Sequence, residues 1–280
     1  MDFLYKILSW INTFVNPFFQ YIFSPVRFLP GWLSNTMISA VIGIFLLFVF
    51  KYTSNQKAIG KVRDSIKADM LAMKLFKDNV SVILLSQVRI MGSAIRLLFY
   101  SIRPLAVMVI PMLLLLSQMG LWYQARPLLP GEEAIVSMSL NDSTAQGWPE
   151  VNIETIAGAE VVAGPVRIQK NKEILWNIRA LENGSSEITF NVNNVPIIKK
   201  LSIGEGYMPV SVTRPGWLLT DILLNPLEPP FDKQSLVRAI RIDYPDRISR
   251  VSGTDWWIIY FFICSTVFAL IFKPLLKVRI

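Results

Sequence analysis

The sequence contains no histidine and only one cysteine, and these shortages exclude several kinds of site. Without histidine, the chain lacks the commonest general base and the commonest metal ligand. The single cysteine, Cys264, cannot form a disulfide within the chain or supply a cysteine-rich zinc site. No glycine-rich phosphate loop or nucleophile motif is present either. We therefore expect a protein that is not an enzyme and that needs no metal or cofactor.

Charged residues are also scarce, which points to a membrane protein. They make up 17% of the chain, against the roughly 25% that is typical of soluble domains, and 52% of the residues are hydrophobic. Long apolar stretches occupy residues 32–50, 104–123 and 255–273, and each has about the 17–25 residues that a helix needs to cross a bilayer. The sequence therefore predicts three transmembrane helices.

Basic and aromatic residues predict the direction of these helices. Residues 51–103 contain ten Lys and Arg residues against three acidic ones, and the tail 274–280 is basic. By the positive-inside rule both segments lie in the cytoplasm, which places the N-terminus and residues 124–254 outside. Aromatic residues that favour the interface fall at the predicted outer ends: Trp32, Trp122, Tyr123, Trp256, Trp257 and Tyr260. We expect a multi-pass protein of the cell (plasma or inner) membrane.

The first 30 residues have the pattern of an amphipathic helix that lies in the outer interface. Its predicted apolar face is Leu4, Ile7, Leu8, Ile11, Val15, Phe18 and Ile22. Its predicted polar face is Lys6, Ser9, Thr13, Asn16 and Gln20. Pro25 and Pro30 then separate this helix from the first span.

The basic segment 51–103 has the pattern of a helical hairpin. Apolar residues spaced by three or four form one stripe before the turn at 77–79: Ile59, Val62, Ile66, Met70 and Met73. A second stripe follows the turn: Leu84, Val88, Met91, Ile95, Leu98 and Ile102. Such narrow stripes are typical of helices that pair as in a coiled coil.

Two features of this hairpin suggest contacts outside the chain. Arg89, Arg96 and Arg103 lie seven residues apart and so share one helix face. They suit anionic lipid headgroups, a ribosome or a nascent chain, and the spacing does not separate these partners. Flexible methionines suit a surface that accepts varied apolar segments, but methionines at helical spacing, here Met70, Met73 and Met91, are more often ordinary packing residues.

The segment 124–254 is predicted to be an all-β sandwich outside the membrane. Short alternating runs separated by turn residues mark strands at 134–140, 151–153, 174–180, 188–192, 197–203, 208–212 and 236–242. The apolar stretch 215–230 is open to three interpretations. It packs within the sandwich, docks the domain onto the membrane or the spans, or binds an extracytoplasmic partner together with other parts of residues 131–250.

The order of segments over residues 1–120 resembles the YidC/Oxa/Alb superfamily of membrane-protein insertases. The stretch 4–15 looks like its interfacial helix, and the stretch 51–73, which includes Gln56, Arg63 and Met70, looks like its first coiled-coil helix. The arrangement is similar to the minimal three-span members, of the archaeal YidC-like type or of the insertase subunit of the endoplasmic-reticulum membrane complex. Unlike YidC proteins, the chain has no arginine in its first span, and the β domain occupies the place of a short helical hairpin.

The resemblance implies a lipid-open groove between the spans that lowers the cost of moving polar groups through hydrocarbon. Candidate groove residues are Ser39, Ser117, Gln118, Cys264, Ser265 and Thr266, and each is also explained as a small polar residue that stabilises helix packing. The expected function is insertion or chaperoning of newly made membrane proteins. The alternative is a non-catalytic accessory subunit whose β domain binds another envelope protein.

Overall fold

The computed structural model describes residues 2–26, 28–141, 147–248 and 256–278, without the side chains of residues 2–9, 26 and 155. The helices are α1 (Asp2–Phe23), α2 (Gly31–Thr53), α3 (Gln56–Leu75), α4 (Val80–Tyr123), α5 (Leu219–Leu224) and α6 (Trp257–Phe272). The strands are β1 (Glu133–Leu140), β2 (Val151–Ile156), β3 (Ala159–Ile168), β4 (Glu173–Ala180), β5 (Gly184–Val192), β6 (Val195–Ile203), β7 (Thr213–Arg214) and β8 (Val237–Ile242).

The chain divides into two compact units. The first, the β unit, comprises Met1–Ser34 and Leu114–Trp257 and contains α1 and all eight strands. The second, the helical unit, comprises Asn35–Leu113 and Ile258–Ile280. The boundaries between the two units fall within helices α2, α4 and α6.

Two helices, α2 and α4, are long and apolar enough to cross a membrane by length and composition. They contain the predicted spans 32–50 and 104–123. Helix α6 is apolar but has only 16 residues, so the third span at 255–273 stays a prediction. The sequence also predicted a separate hairpin helix before Pro104, whereas α4 continues unbroken through Pro104 and Pro111 for 44 residues. Proline interrupts one hydrogen bond in a helix, which apolar helices tolerate where neighbouring groups satisfy the freed carbonyl.

Helices α3 and α4 form the two arms that the hairpin prediction required, with a turn at 76–79 between them. The Asn55 side chain caps α3 by accepting a hydrogen bond from Ala58 N at 3.1 Å, and Asn79 does the same for Val82 N at 3.3 Å. The sequence predicted that the apolar stripe of α4 packs within the hairpin. This prediction is wrong, because all six residues of the stripe are exposed. The covered face of α4 instead carries Ile83, Ser86, Ile90, Ser93 and Leu97.

The β unit contains two antiparallel sheets, with strand orders β3-β4-β1-β8-β7 and β2-β5-β6. Inward side chains of both sheets form one apolar core, as alternation of buried and outward residues along β1 and β4 requires. The predicted sandwich is confirmed at this level, although α5 makes the domain not strictly all-β. The strand predicted at 208–212 is wrong, because Val210 N bonds to Leu121 O outside any sheet. Strand β3 was not predicted, because its residues are exposed on both faces and do not alternate.

Candidate functional site

The six candidate groove residues fall into two groups. Ser117 and Gln118 belong to the β unit, whereas Ser39, Cys264, Ser265 and Thr266 belong to the helical unit. Ser39, Ser117, Gln118 and Ser265 are buried, Cys264 is half-buried and Thr266 is exposed. Each group has its own polar contacts, which determine what its members can do.

In the β unit, Gln118 belongs to a polar network that joins the end of α4 to α1. Its side-chain nitrogen donates to Asn16 Oδ1 at 2.7 Å, and Asn16 Nδ2 donates to the Pro226 carbonyl at 2.7 Å. One turn earlier, Asn12 Nδ2 donates to the Ile222 carbonyl at 3.5 Å. The Ser117 hydroxyl donates to the Leu114 carbonyl at 2.8 Å, so its hydrogen bond is made within α4. The network fixes α1 between α4 and the segment that follows α5.

This contact resolves the role of the apolar stretch 215–230 in the structure. Helix α5 packs against α1, and Ile222 is buried there. The face of α1 that is covered carries Asn12, Phe19 and Phe23, with Phe23 stacked on Trp122 at 5.0 Å between ring centroids. The stretch thus docks the β domain onto the N-terminal helix. Its leucines at 218, 219 and 224 remain exposed.

The opposite face of α1 is aromatic and uncovered, and it differs from the predicted apolar face. Its exposed residues are Trp10, Phe14, Phe18 and Tyr21, whereas Ile11, Val15 and Ile22 are half-buried. The predicted positions Leu4, Lys6, Ile7, Leu8 and Ser9 lie outside the described side chains. Helix α1 therefore holds the β domain with one face and exposes aromatic rings with the other. Rings of this kind favour the boundary between headgroups and acyl chains.

Three helix ends meet at one aromatic cluster of the β unit. Tyr123, the last residue of α4, lies 2.8 Å from the Ser34 hydroxyl near the start of α2, measured between oxygens. Its ring is 6.4 Å from that of Trp257, the first residue of α6. The C-terminal end of α4 thus adjoins the N-terminal ends of α2 and α6. Trp122, Tyr123 and Trp257 are buried in the cluster, while Trp32 and Trp256 are exposed.

In the helical unit, α2 and α6 run in the same direction and pack closely. Thr36 and Tyr260 hydroxyls are hydrogen-bonded at 2.6 Å, and one or two turns later Gly43 lies against Ser265. A Cβ on Gly43 would lie 2.4 Å from the Ser265 carbonyl oxygen, so only glycine permits this approach. Ser39 donates to Asn35 Oδ1 at 3.1 Å on the same buried stripe. Ser39 and Ser265 are therefore explained by helix packing in the structure.

The candidate contact residues of the hairpin are mostly accessible. Met70, Met91, Arg89, Arg96 and Arg103 are exposed, and Met73 is half-buried. Around the turn, the apolar residues Met70, Leu71, Leu75, Phe76 and Val80 are each more than half exposed. We refer to these five residues as the tip cluster. Their exposure is unusual in water, where contiguous apolar surface marks an interaction site.

A buried ionic cluster in the β unit is the main feature that sequence reasoning missed. Lys199 Nζ donates to Glu228 Oε1 and to the Ser211 carbonyl, both at 2.6 Å, and both charged side chains are almost fully buried. Glu228 also accepts from the Ser211 hydroxyl and from Lys200 N. Burial lowers the pKa of Lys199, and the Glu228 carboxylate opposes that shift. A lysine at an inward position of the predicted strand 197–203 was the available signal.

This cluster shapes the surface onto which α1 docks. Glu228 lies two residues after Pro226, whose carbonyl accepts the hydrogen bond of Asn16. A cleft of about 390 Å³ lies between α1 and this segment and is lined by Asn12, Thr13, Asn16, Pro17, Gln20, Lys200 and residues 226–230. A second cleft of about 500 Å³ is lined by residues that include Trp217, Leu218, Phe231, Lys170 and Lys233. Both are formed within the β unit.

The described residues contain no group of three or more histidine, cysteine, aspartate or glutamate side chains that could hold a metal ion. No protein-family model and no curated protein matches the sequence. Among solved structures, the crystal structure of domains 4 and 5 of the S-layer protein SbsC is similar over part of the chain, with 16% identity and a TM-score of 0.23. The match covers 29% of this chain and 47% of that one, so the chain spans about half of its length. A likeness at that TM-score carries no argument about fold or function.

Proposed function

We propose that the chain is a three-span membrane protein that assists the insertion or folding of membrane segments. In this proposal α2, α4 and α6 cross the bilayer, the β unit lies outside, and the hairpin and the tail 274–278 lie in the cytoplasm. The meeting of three helix ends at the Tyr123 cluster supports a shared outer boundary for the spans. The parallel packing of α2 and α6 supports a membrane position for α6, although the helix has only 16 residues. Arg279 of the predicted basic tail lies outside the described residues.

The observation that carries the functional proposal is the exposed tip cluster on a basic hairpin. Five large apolar residues surround the turn, and the two arms α3 and α4 carry eight of the ten basic residues of segment 51–103. Apolar side chains that include a flexible methionine bind varied apolar segments, and basic residues suit the charged flanks or the anionic surface beside them. Newly made membrane segments are apolar chains with short polar flanks, so they match this surface chemically.

The proposed mechanism requires no covalent chemistry. A substrate segment held at the hairpin would pass to the spans, where polar side chains near the helix surface ease the passage of its polar flank. Among the candidate groove residues, half-buried Cys264 and exposed Thr266 have the access that this role needs. The buried Ser39, Ser117, Gln118 and Ser265 would act through helix packing instead.

The proposal is tested by reconstitution into liposomes with a single-span substrate that carries a short translocated tail. We expect insertion above the level of empty liposomes, and we expect the double variant Leu71→Ser/Leu75→Ser to fall toward that level. The matched control is Val161→Ser/Val166→Ser, which removes two exposed valines from β3 and should leave insertion unchanged. Insertion no greater than in empty liposomes with the unaltered protein would overturn the proposal.

A second candidate function is an accessory subunit whose β domain binds another envelope protein. The cleft of about 500 Å³ beside exposed Leu218 favours it, because clefts lined by aromatic and basic side chains suit protein or ligand docking. A photoreactive residue in place of Leu218 should then capture one stable partner in intact membranes. Capture of nothing at that position, with full insertion activity in liposomes, would exclude this candidate.

A further inference from the structure

Helix α4 carries an uncovered apolar stripe with a strict heptad spacing. Its residues follow one another at alternating intervals of four and three: Leu84, Val88, Met91, Ile95, Leu98, Ile102, Leu105 and Val109. All eight are between 50% and 70% exposed. We call these eight residues the α4 seam. They fill four consecutive heptads, which is the length at which such a pattern indicates a coiled coil.

The predicted membrane span accounts for the exposure of only part of this seam. Leu105 and Val109 fall within the predicted span, where lipid would cover them, but the six residues from Leu84 to Ile102 precede it. They lie on the basic segment, whose charge belongs in water. The helical unit covers a different face of α4, which carries Ile83, Ile90 and Leu97. The seam is therefore left for something outside this chain.

The residue types of the seam specify its partner. In the heptad register the a positions are Val88, Ile95, Ile102 and Val109, and the d positions are Leu84, Met91, Leu98 and Leu105. β-branched residues at a and leucine-like residues at d favour two-stranded parallel coiled coils, because each shape suits the packing at its own layer. A seam with this order is complementary to an identical seam in the same direction.

The charges next to the seam also permit self-pairing. The e and g positions, which face a partner helix, carry no charge: Leu85, Gln87, Gly92, Ala94, Phe99, Ser101, Ala106 and Met108. Arg89, Arg96 and Arg103 all occupy b positions, which point away from a partner. The basic charge of the hairpin therefore adds no close repulsion between two copies. Small residues at four of these flanking positions, Gly92, Ala94, Ser101 and Ala106, allow the helices to approach closely.

We infer that α4 pairs in parallel with α4 of a second copy of this chain, through the α4 seam. Two copies inserted in one membrane have the same direction, so the bilayer itself imposes the parallel alignment. This inference rests on the proposed membrane topology but not on the insertion activity, because the tip cluster and the seam share no residue. The dimer would leave the tip clusters of both copies free.

The first experiment maps the interface with single cysteines in the full-length protein reconstituted in liposomes, in a Cys264→Ser background. In a parallel coiled coil, identical seam positions of two copies face one another. Leu98→Cys and Met91→Cys should therefore be joined to dimers by a short bis-maleimide. Arg96→Cys and Arg89→Cys, at exposed b positions of the same turns, should remain monomers. Equal joining at all four positions, or none at the seam positions, would overturn the inference.

The second experiment weakens the pairing with one substitution, and a control variant and the helix content show whether the protein still folds. Ile95→Glu places two like charges opposite each other in the seam and should weaken dimerisation by about tenfold or more. Arg96→Glu, its neighbour at a b position, is the matched control and should dimerise like the parent. Dimerisation is measured by exchange between two differently tagged populations after their liposomes are fused. Unchanged exchange in Ile95→Glu, with its helix content intact, would contradict the seam as the interface.

The outcomes separate this inference from the proposed function. A monomer that inserts substrate would overturn the dimer and leave the function standing. A seam-linked dimer that inserts nothing would overturn the function and leave the dimer. In native membranes, a seam cysteine joined to a substrate segment in place of a second copy would also overturn the dimer.

Discussion

The β unit and the hairpin bury their apolar residues in opposite ways. In the β unit, inward residues such as Val136, Ile178 and Phe190 are completely buried, and even the buried Lys199 has a carboxylate partner. In the hairpin, apolar residues of similar size are mostly exposed, and the covered face of α4 includes serines. The β unit thus completes its own core. The described part of the hairpin leaves most of its apolar residues uncovered.

Of the variants predicted here, one that breaks the ionic cluster should cause the largest loss of stability, and the loss should fall on the β unit and not on the hairpin. Lys199→Met leaves the Glu228 carboxylate buried without its cation, which costs about 3–5 kcal/mol in comparable sites. We expect the β unit to unfold at much lower denaturant, as followed by tryptophan fluorescence, while the helix content of the hairpin is unchanged. The control Lys200→Met removes an adjacent lysine that is only partly buried. A loss below about 1 kcal/mol for Lys199→Met would contradict the interpretation of this cluster.

Separating α2 from α6 should cause the next largest loss of stability, and this loss should be confined to the helical unit. Gly43→Val forces a side chain into the Ser265 backbone, and such overpacking costs about 1–3 kcal/mol. Cysteines at positions 36 and 260, which now carry hydrogen-bonded hydroxyls, should then lose their efficient cross-link. Gly92→Val is the control, because no atom lies within 4 Å of a Cβ at that position. An undiminished cross-link in Gly43→Val would show that the close approach is not needed.

Removing the asparagine contact of α1 tests how the β domain is held. Asn16→Leu leaves the Gln118 amide and the Pro226 carbonyl without their partner, which costs about 1–3 kcal/mol for buried groups. We expect faster hydrogen exchange in residues 219–230, with the sheets still protected. Phe14→Leu, which changes an exposed position on the opposite face of the same helix, serves as the comparison. Equal protection of residues 219–230 in both variants would mean that the network does not hold the segment.

The smallest expected effect concerns pH. The hydrogen bonds from Arg126 lower the pKa of Glu132 below its ordinary value of 4.5. The stability that this pair contributes is therefore present above that value and is lost as the pH falls through the lower, folded-state pKa. The pair is partly exposed, so its contribution is under about 1 kcal/mol. Glu132→Gln should reduce the acid slope of β-unit stability slightly. An unchanged slope would assign the acid sensitivity to other carboxylates.

The sequence predicted the sandwich because most of its strands bury one face only. Strands β1 and β4 alternate strictly, so period-two reasoning found them at nearly the correct bounds. Strand β3 lies at a sheet edge with both faces exposed, and a strand without a buried face leaves no such pattern. The run 208–212 has the opposite property: it is apolar and extended but bonds to α4 instead of a sheet.

In the helical unit, the periodicity of apolar residues predicts the helices but not the neighbours that they pack against. The heptad pattern of α4 correctly indicated a helix and an apolar face, but not which neighbour covers that face. A seam for a partner outside the chain has the same pattern as one for α3. The sequence pattern places Asn16 on the polar face of α1 and gives Asn12 no role. In the structure both side chains donate to backbone carbonyls of residues 222–226. A polar helix face that docks in this way has the same sequence pattern as a solvent-exposed one. The pairing of Lys199 with Glu228 joins residues 29 positions apart and required coordinates.

The proposed topology places the β unit and the hairpin on opposite sides of a membrane. The direct measurement labels single cysteines in intact cells with a membrane-impermeant maleimide, in a Cys264→Ser background. Both Glu182→Cys in the β unit and Lys67→Cys in α3 place the thiol at an exposed position. The proposed topology predicts that Glu182→Cys is labelled in intact cells and Lys67→Cys only after permeabilisation. Labelling of both without permeabilisation, or the reverse order, would contradict it.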